Sequence, residues 1–226
     1  MIINKIDFPL YKIMIAFSVL VGITYIYMSL KNEKIPKKNI FIFFIFFFIF
    51  AILTGKLYTF IAYGFKTSFL KSSLSAYGGL IGVVIASIIY EKIYPSKGII
   101  IKHTILSLPL IYSFTKIGCF FNGCCFGLPY DGPLSVIYPH KLNKPLFPIQ
   151  LLEIFIFFIL FLICNTNKEK DNISYITLST IAILKFLIEF LRYEHIGQTI
   201  TPNQTFSILL LIIIIVTFIK NKSTTK

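Results

Sequence analysis

The stretch Ile40-Phe-Ile-Phe-Phe-Ile-Phe-Phe-Phe-Ile-Phe-Ala-Ile-Leu-Thr-Gly-Lys56-Leu-Tyr-Thr-Phe-Ile-Ala-Tyr63 decides the fold. It carries one formal charge, Lys56, over a length sufficient to cross a bilayer, for which a helix needs about 20 mostly apolar residues. In hydrocarbon the backbone has no water to bond to, so a segment of this kind must close its own hydrogen bonds as a helix. Six further segments share the character: Leu10–Leu30, Ala76–Tyr94, Gly98–Gly118, Leu146–Ile163, Ile173–Leu191 and, shortest of all, Thr205–Ile219. The expected architecture is therefore all-α, a polytopic integral membrane protein of about seven transmembrane helices forming a single domain over residues 1–226.

Composition agrees with this reading. Of the 226 residues 56% are hydrophobic and 14% charged, whereas a soluble domain carries about 25% charge, so a water-soluble globule is excluded. Lys+Arg 22 against Asp+Glu 9 gives +13. In a soluble chain such a balance would suggest nucleic acid, but here the lysines punctuate apolar runs and form no basic face, so nucleic acid is not an expected partner. Lys31, Lys34, Lys37, Lys38, Lys92, Lys97, Lys102, Lys168, Lys170, Lys220, Lys222 and Lys226 all fall on alternate connections, which predicts an N-out, C-in orientation. The first span ends in Lys31-Asn-Glu-Lys34 and lacks a small-x-small cleavage site, so it reads as a retained helix and not as a signal peptide.

With that orientation, the polar groups of five spans gather at the outer ends. The sixth span carries Lys185, Glu189 and Arg192 at i, i+4 and i+7, on one helical face. A self-neutralising ion network is the plain reading of such a face, but its net charge of +1 leaves a cation for an anionic ligand, and a phosphate is the natural candidate in a bilayer. Lys116 ends the fourth span and opens Lys116-Ile-Gly-Cys-Phe-Phe-Asn122-Gly-Cys-Cys-Phe-Gly127. The third span begins Tyr77-Gly78-Gly79-Leu-Ile-Gly82, where Gly78 and Gly82 form a small-xxx-small pair suited to helix packing and the Tyr77 hydroxyl is the group able to carry chemistry. The fifth opens Pro148-Ile-Gln150-Leu-Leu-Glu153, in which Glu153 either complements the helix dipole or serves the site. Thr201-Pro-Asn203-Gln204 caps the seventh.

Cys119, Cys124 and Cys125 lie where oxidation is permitted, and packing, a disulfide from Cys119 to either neighbour, and chemistry beside Lys116 or metal binding all remain open. Four cysteines without a paired histidine, and with His103, His140 and His195 scattered, make a poor zinc site, so neither metal nor cofactor is expected. Cys164, at the opposite end of the fifth span, reads as structural.

These linked motifs, in this order from Ser75 onward, resemble the prolipoprotein diacylglyceryl transferase family of bacterial membrane enzymes. The resemblance implies transfer of a diacylglyceryl group from phosphatidylglycerol to the cysteine thiol of a lipobox in an exported prolipoprotein. A thioether forms, glycerol phosphate departs, and the active site opens to the outer leaflet of the bacterial cell membrane. It assigns Tyr77, Lys116, Glu189 and Arg192 to catalysis, with Lys116, Lys185 and Arg192 on phosphate. Asn122, Gly78, Gly79, Gln150, Glu153, Asn203 and Gln204 would bind substrate. The chain departs from the family pattern in an informative way. Tyr77 stands where His precedes Gly-Gly, the signature Arg-Ile-Gly-Asn-x-x-Asn-Gly-Glu reads Lys116-Ile-Gly-Cys119-x-x-Asn122-Gly-Cys124, and Lys185 replaces a further arginine. Together with Gly-Cys-Phe-x-x-Gly-Cys-Cys, these mark a variant branch. The competing readings are a paralogue with another acceptor or donor lipid, and a non-catalytic lipid-binding or transport protein. The second lacks an internal repeat and midplane polar groups.

Overall fold

The computed structural model describes residues 1–3, 10–62, 64–65 and 68–224. Seven helices are present among them: α1 (Leu10–Asn32), α2 (Lys37–Ala62), α3 (Ala76–Ile93), α4 (Ile99–Asn122), α5 (Ile149–Thr166), α6 (Ile173–Glu189) and α7 (Pro202–Thr224). Each expected span falls on one helix, although Tyr63, the expected end of the second, lies outside the described residues. Six helices are long and apolar enough to cross a membrane, and α6, at 17 residues, sits at the lower edge of the spanning range. The outward side chains are apolar, with Phe41 69% and Phe155 65% exposed, the reverse of a water-soluble surface.

Two departures refine the all-α expectation. Between α4 and α5 the chain forms an antiparallel hairpin, β1 (Val136–Tyr138) with β2 (Leu142–Leu146), pairing Val136 with Leu146 and Tyr138 with Leu142. Leu146, expected to begin the fifth span, therefore belongs to β2, and α5 starts only after Pro148, at Ile149. The fourth helix runs on past Gly118 to Asn122 because the hairpin supplies a partner for its last turn: the Tyr138 hydroxyl donates to the Phe120 carbonyl at 2.9 Å.

The chain groups into two compact units, residues 20–108 and residues 1–19 with 109–226. In the first, α3 packs on α2 through glycines. A Cβ on Gly78 would stand 2.7 Å from the Thr54 carbonyl oxygen and 3.1 Å from Gly55 Cα, and one on Gly82 would collide with the Thr54 hydroxyl and the Phe50 carbonyl. The close approach lets the Thr54 hydroxyl donate to the Gly78 carbonyl at 2.8 Å, while Ser75 caps α3 by accepting from the Gly78 amide. Across the α3–α4 turn, Glu91 Oε1 accepts from the Ser96 amide at 2.6 Å and the Gly98 amide at 2.8 Å, satisfying donors that would otherwise face lipid or headgroup alone. In the second unit the first residues of the chain add to the hairpin. The Ile3 amide donates to the Ile137 carbonyl at 2.9 Å, and Ile3, Phe120, Val136, Tyr138 and Leu146 bury together.

The α2–α3 contact gives a paired test. Gly82→Val should force the helices apart and lower stability in detergent by about 1–3 kcal/mol, the usual range for overpacking. Gly79→Ala should leave thermal unfolding unchanged, because a Cβ there meets only the Ala51 carbonyl oxygen at 3.6 Å.

Candidate active site

The last turns of α4 and the first turns of α5 face each other within the second unit. Tyr112, Lys116 and Cys119 follow at i, i+4 and i+7 along one face of α4, and Gln150, Glu153 and Phe157 at i, i+3 and i+7 along one face of α5. The Tyr112 and Phe157 rings meet at 4.5 Å between centroids, and the Ser113 hydroxyl donates to the Ile154 carbonyl at 2.9 Å, fixing the register of the two helices.

Glu153 is wholly buried and is the hub. Its Oε2 lies 2.8 Å from Lys116 Nζ, and its Oε1 lies 2.7 Å from Arg192 Nη2 and 3.7 Å from Lys185 Nζ. Tyr112, which the sequence reading missed, donates its hydroxyl to Glu153 Oε1 at 2.7 Å and accepts from Lys185 Nζ at 2.7 Å. Lys116 and Lys185 each stand 4.9 Å from the centroid of the Tyr112 ring, so one phenol separates two ammonium groups and attracts both through its face. The i, i+4 spacing from Lys116 was the available signal for Tyr112, but one tyrosine in an apolar helix has no pattern to single it out.

Arg192 reaches the hub by a change of backbone. It leaves the end of α6 in an extended conformation, with φ −90° and ψ 144°, and pairs with the segment following the cysteines. The Leu128 amide donates to the Leu191 carbonyl at 2.9 Å and the Tyr193 amide to the Phe126 carbonyl at 3.0 Å. Thus held, Arg192 Nε faces Glu189 Oε2 at 3.1 Å while Nη2 reaches Glu153. Burial opposes the charge of Arg192, but Glu153 beside it prevails and holds the guanidinium protonated above its ordinary range. Glu189 Oε1 in turn accepts from Asn203 Nδ2 at 2.7 Å and from the Thr201 hydroxyl at 3.1 Å, both at the start of α7.

The structure therefore joins Lys116, Glu153, Lys185, Glu189, Arg192 and Asn203 in one network. Gln204 and Gln150 sit at its ends. Gln204 Oε1 accepts from the Thr201 amide at 2.9 Å, and Gln150 Nε2 donates to the Cys124 carbonyl at 2.8 Å. Their other amide atoms, Gln204 Nε2 and Gln150 Oε1, are buried without a hydrogen-bond partner among the described residues. Asn122 is exposed at the end of α4. Tyr77, Gly78 and Gly79 belong to the other compact unit, where Tyr77 packs edge-on against Tyr58 at 5.7 Å between centroids. Cys119, Cys124 and Cys125 carry free thiols whose sulfurs all lie within 4.8 Å of one another.

The network is anion-seeking. Three basic against two acidic side chains give a formal charge of +1, and all five side chains are 5% exposed or less. Such a charge in a low-dielectric surround favours an anionic partner strongly, provided the rest of the ion set stays paired.

A family model described as prolipoprotein diacylglyceryl transferase matches residues 1–220. Over 148 residues the chain is 30% identical to the "phosphatidylglycerol--prolipoprotein diacylglyceryl transferase 2" of Clostridium perfringens, covering 60% of this chain and 56% of that protein. It is 28% identical over 128 residues to the corresponding transferase of Legionella pneumophila, covering 54% and 50%, and 30% identical over 135 residues to that of Methylococcus capsulatus, covering 56% and 50%. The alignments thus span about half the length of these relatives.

Glu153→Ala should strip three buried cations of their shared carboxylate and cost about 3–5 kcal/mol, read as a fall in thermal stability in detergent. Tyr112→Phe removes only a hydroxyl that both donates and accepts, and should cost about 1–3 kcal/mol.

Proposed function

The chain belongs to the prolipoprotein diacylglyceryl transferase family, and from that premise we propose that it transfers the diacylglyceryl group of phosphatidylglycerol to the thiol of a lipobox cysteine in exported prolipoproteins. The observation that carries this reading is the buried cluster of net charge +1 around Glu153. The reaction breaks the bond between the glyceryl carbon and a phosphate oxygen, and negative charge builds on the departing glycerol phosphate. Cations fixed in a water-poor site lower that barrier electrostatically, because they are oriented before charge develops.

Arg192, Lys116 and Lys185 take the phosphate in this reading. Arg192 is the principal donor, since its planar guanidinium has N–H groups beyond the Nη2 bond to Glu153 and the Nε ion pair with Glu189 that fix its direction. Lysine supplies charge without a bidentate fork, so the two lysines act as point charges and the single arginine gives direction. Glu153 and Glu189 keep the three cations apart and oriented. The unpartnered Gln150 Oε1 and Gln204 Nε2 suit glycerol hydroxyls or substrate peptide groups, because a ligand there would satisfy buried polar atoms. Leu128, Pro129, Tyr130, Phe147 and Leu191 line an apolar groove fitted to a lipid chain. Tyr77 is assigned on its motif alone, as a hydrogen-bonding group or a base, and Asn122 as a neutral contact. The domain is read as one unit of function over residues 1–226, N-out and C-in in the bacterial cell membrane, with the site toward the outer leaflet.

The decisive experiment depletes a host's own transferase and supplies this chain, scoring thioether formation on a lipobox precursor. The wild-type chain should restore lipidation. Arg192→Ala should reduce it at least 100-fold, on the order of the loss of one transition-state charge contact, while the protein stays folded in membranes. Arg192→Lys should recover part of the rate, and Tyr77→Phe isolates the hydroxyl. Undiminished lipidation by Arg192→Ala would sink the phosphate assignment. A wild-type chain that binds phosphatidylglycerol vesicles but restores no lipidation would favour the lipid-binding reading.

A further inference from the structure

The cysteine cluster is unused by this mechanism, and its geometry is that of a ligand set. The three sulfurs of Cys119, Cys124 and Cys125 converge to within 4.8 Å of one another as free thiols. Sulfurs held at ~2.3 Å on a tetrahedral ion would stand about 3.8 Å apart, so closure onto a metal asks for a contraction of about 1 Å or less. Cys119 is buried on α4, and Cys124 and Cys125 are half-buried residues in the following turn.

The turn is held in the form that brings the sulfurs together. Gly123 and Cys125 both adopt left-handed backbone, with φ 61° and 57°, the second a rare conformation for a residue with a side chain. A Cβ on Gly123 would meet the Tyr138 ring at 2.7 Å. The Cys124 amide donates to the Cys119 carbonyl at 3.2 Å, and the wholly buried Gln150 pins the Cys124 carbonyl. Thus the two ligand elements, the last turn of α4 and the loop after it, are tied to each other and to α5. Thiols used only as small apolar packing groups would not need left-handed backbone at a cysteine to bring them together.

The expectation of no metal rested on histidine spacing, which the sulfurs do not require. We infer that Cys119, Cys124 and Cys125 form a three-thiolate site for a soft cation of the zinc class, whose open fourth position takes the acceptor thiol. Three protein ligands and one open position is the arrangement of catalytic rather than structural zinc, and thiolate ligands select soft ions over magnesium or calcium. The position within the fold matches the task. Lys116 and Cys119 lie one turn apart on α4, and Glu153 and Gln150 one turn apart on α5, so the sulfur cluster adjoins the cationic cluster through the same helix pair.

This role rests on the transfer reading. On coordination the acceptor thiol loses its proton to water, because a metal-bound thiol is deprotonated outright. A sulfur lone pair then forms the bond to the glyceryl carbon, the carbon–oxygen bond to phosphate breaks, and its electron pair leaves with glycerol phosphate onto Arg192 and its neighbours. The neutral thioether is a poor ligand and dissociates. No oxidant or reductant takes part.

The test uses the full chain in detergent with reductant present and cobalt(II) as the probe. Stoichiometric uptake with a sulfur-to-cobalt charge-transfer band is expected. Cys119→Ser and Cys125→Ser should lose the band at unchanged melting temperature, and Cys164→Ser should keep it. A peptide with one cysteine should shift the ligand-field bands, whereas its serine counterpart should not. With zinc, chelation should abolish thioether formation in phosphatidylglycerol vesicles and added zinc should restore it. Absence of stoichiometric metal, or bands indifferent to the cysteine peptide, overturns the site or its open position respectively. Undiminished transfer by metal-free protein overturns the metal's role while leaving the transferase reading intact. Metal and peptide binding without any thioether does the reverse.

Discussion

A single carboxylate surrounded by three basic side chains organises the compact unit of residues 1–19 and 109–226. Glu153 is fully buried, and among the described residues it is the carboxylate that contacts Lys116, Lys185 and Arg192 together. Isolated charges in such a setting would each cost several kcal/mol, so α4, α5 and α6 can meet at this point only as a set. The register of α5 on α4, the Tyr112 hydroxyl between two ammonium groups, and the extended backbone at Arg192 are all conditions for that one arrangement.

The second carboxylate has a different duty. Glu189 is held by Asn203 and Thr201 at the start of α7 and directs Arg192 through its Nε. Arg192 is thereby fixed by the last residue of α6, which the start of α7 holds in its turn. The lysines need less support, because a point charge tolerates more placements than a planar fork. Tyr112 is what keeps them from repelling one another directly: its ring faces both at 4.9 Å and its oxygen accepts from one. In such a site one guanidinium gives direction and two ammonium groups give field.

The legibility of these features in the sequence follows their length scale. Ile40–Tyr63 could not be anything but a membrane helix, since about 20 apolar residues in a row have few other folds open to them. The hairpin was hidden because its strands are three and five residues long and one contains Pro145. Lys185, Glu189 and Arg192 were legible as a helical face, since charge at i, i+4 and i+7 is conspicuous in an apolar run. Glu153 was visible, but a carboxylate near a helix start has a local explanation in the dipole, and only its burial among cations from two other helices separates the readings. Tyr112 offered no contrast with its neighbours. The cysteines were conspicuous as a motif, while their convergence depends on left-handed backbone at Gly123 and Cys125, which residue identity does not announce at a cysteine.

The adjacency of sulfur and cation clusters bears on how two tasks can share one pair of helices. A nucleophilic displacement at carbon needs the attacking sulfur and the leaving oxygen on opposite sides of one atom, so activation of the thiol and stabilisation of the phosphate must be separated by a short, fixed interval. Lys116 and Cys119 are three residues apart on α4, a rise of about 4.5 Å. Gln150 and Glu153 repeat that interval on the facing helix. Soft sulfur at one end of that interval and positive charge at the other is what two separable tasks on a common scaffold permit, because the interval is what the pair of helices holds constant.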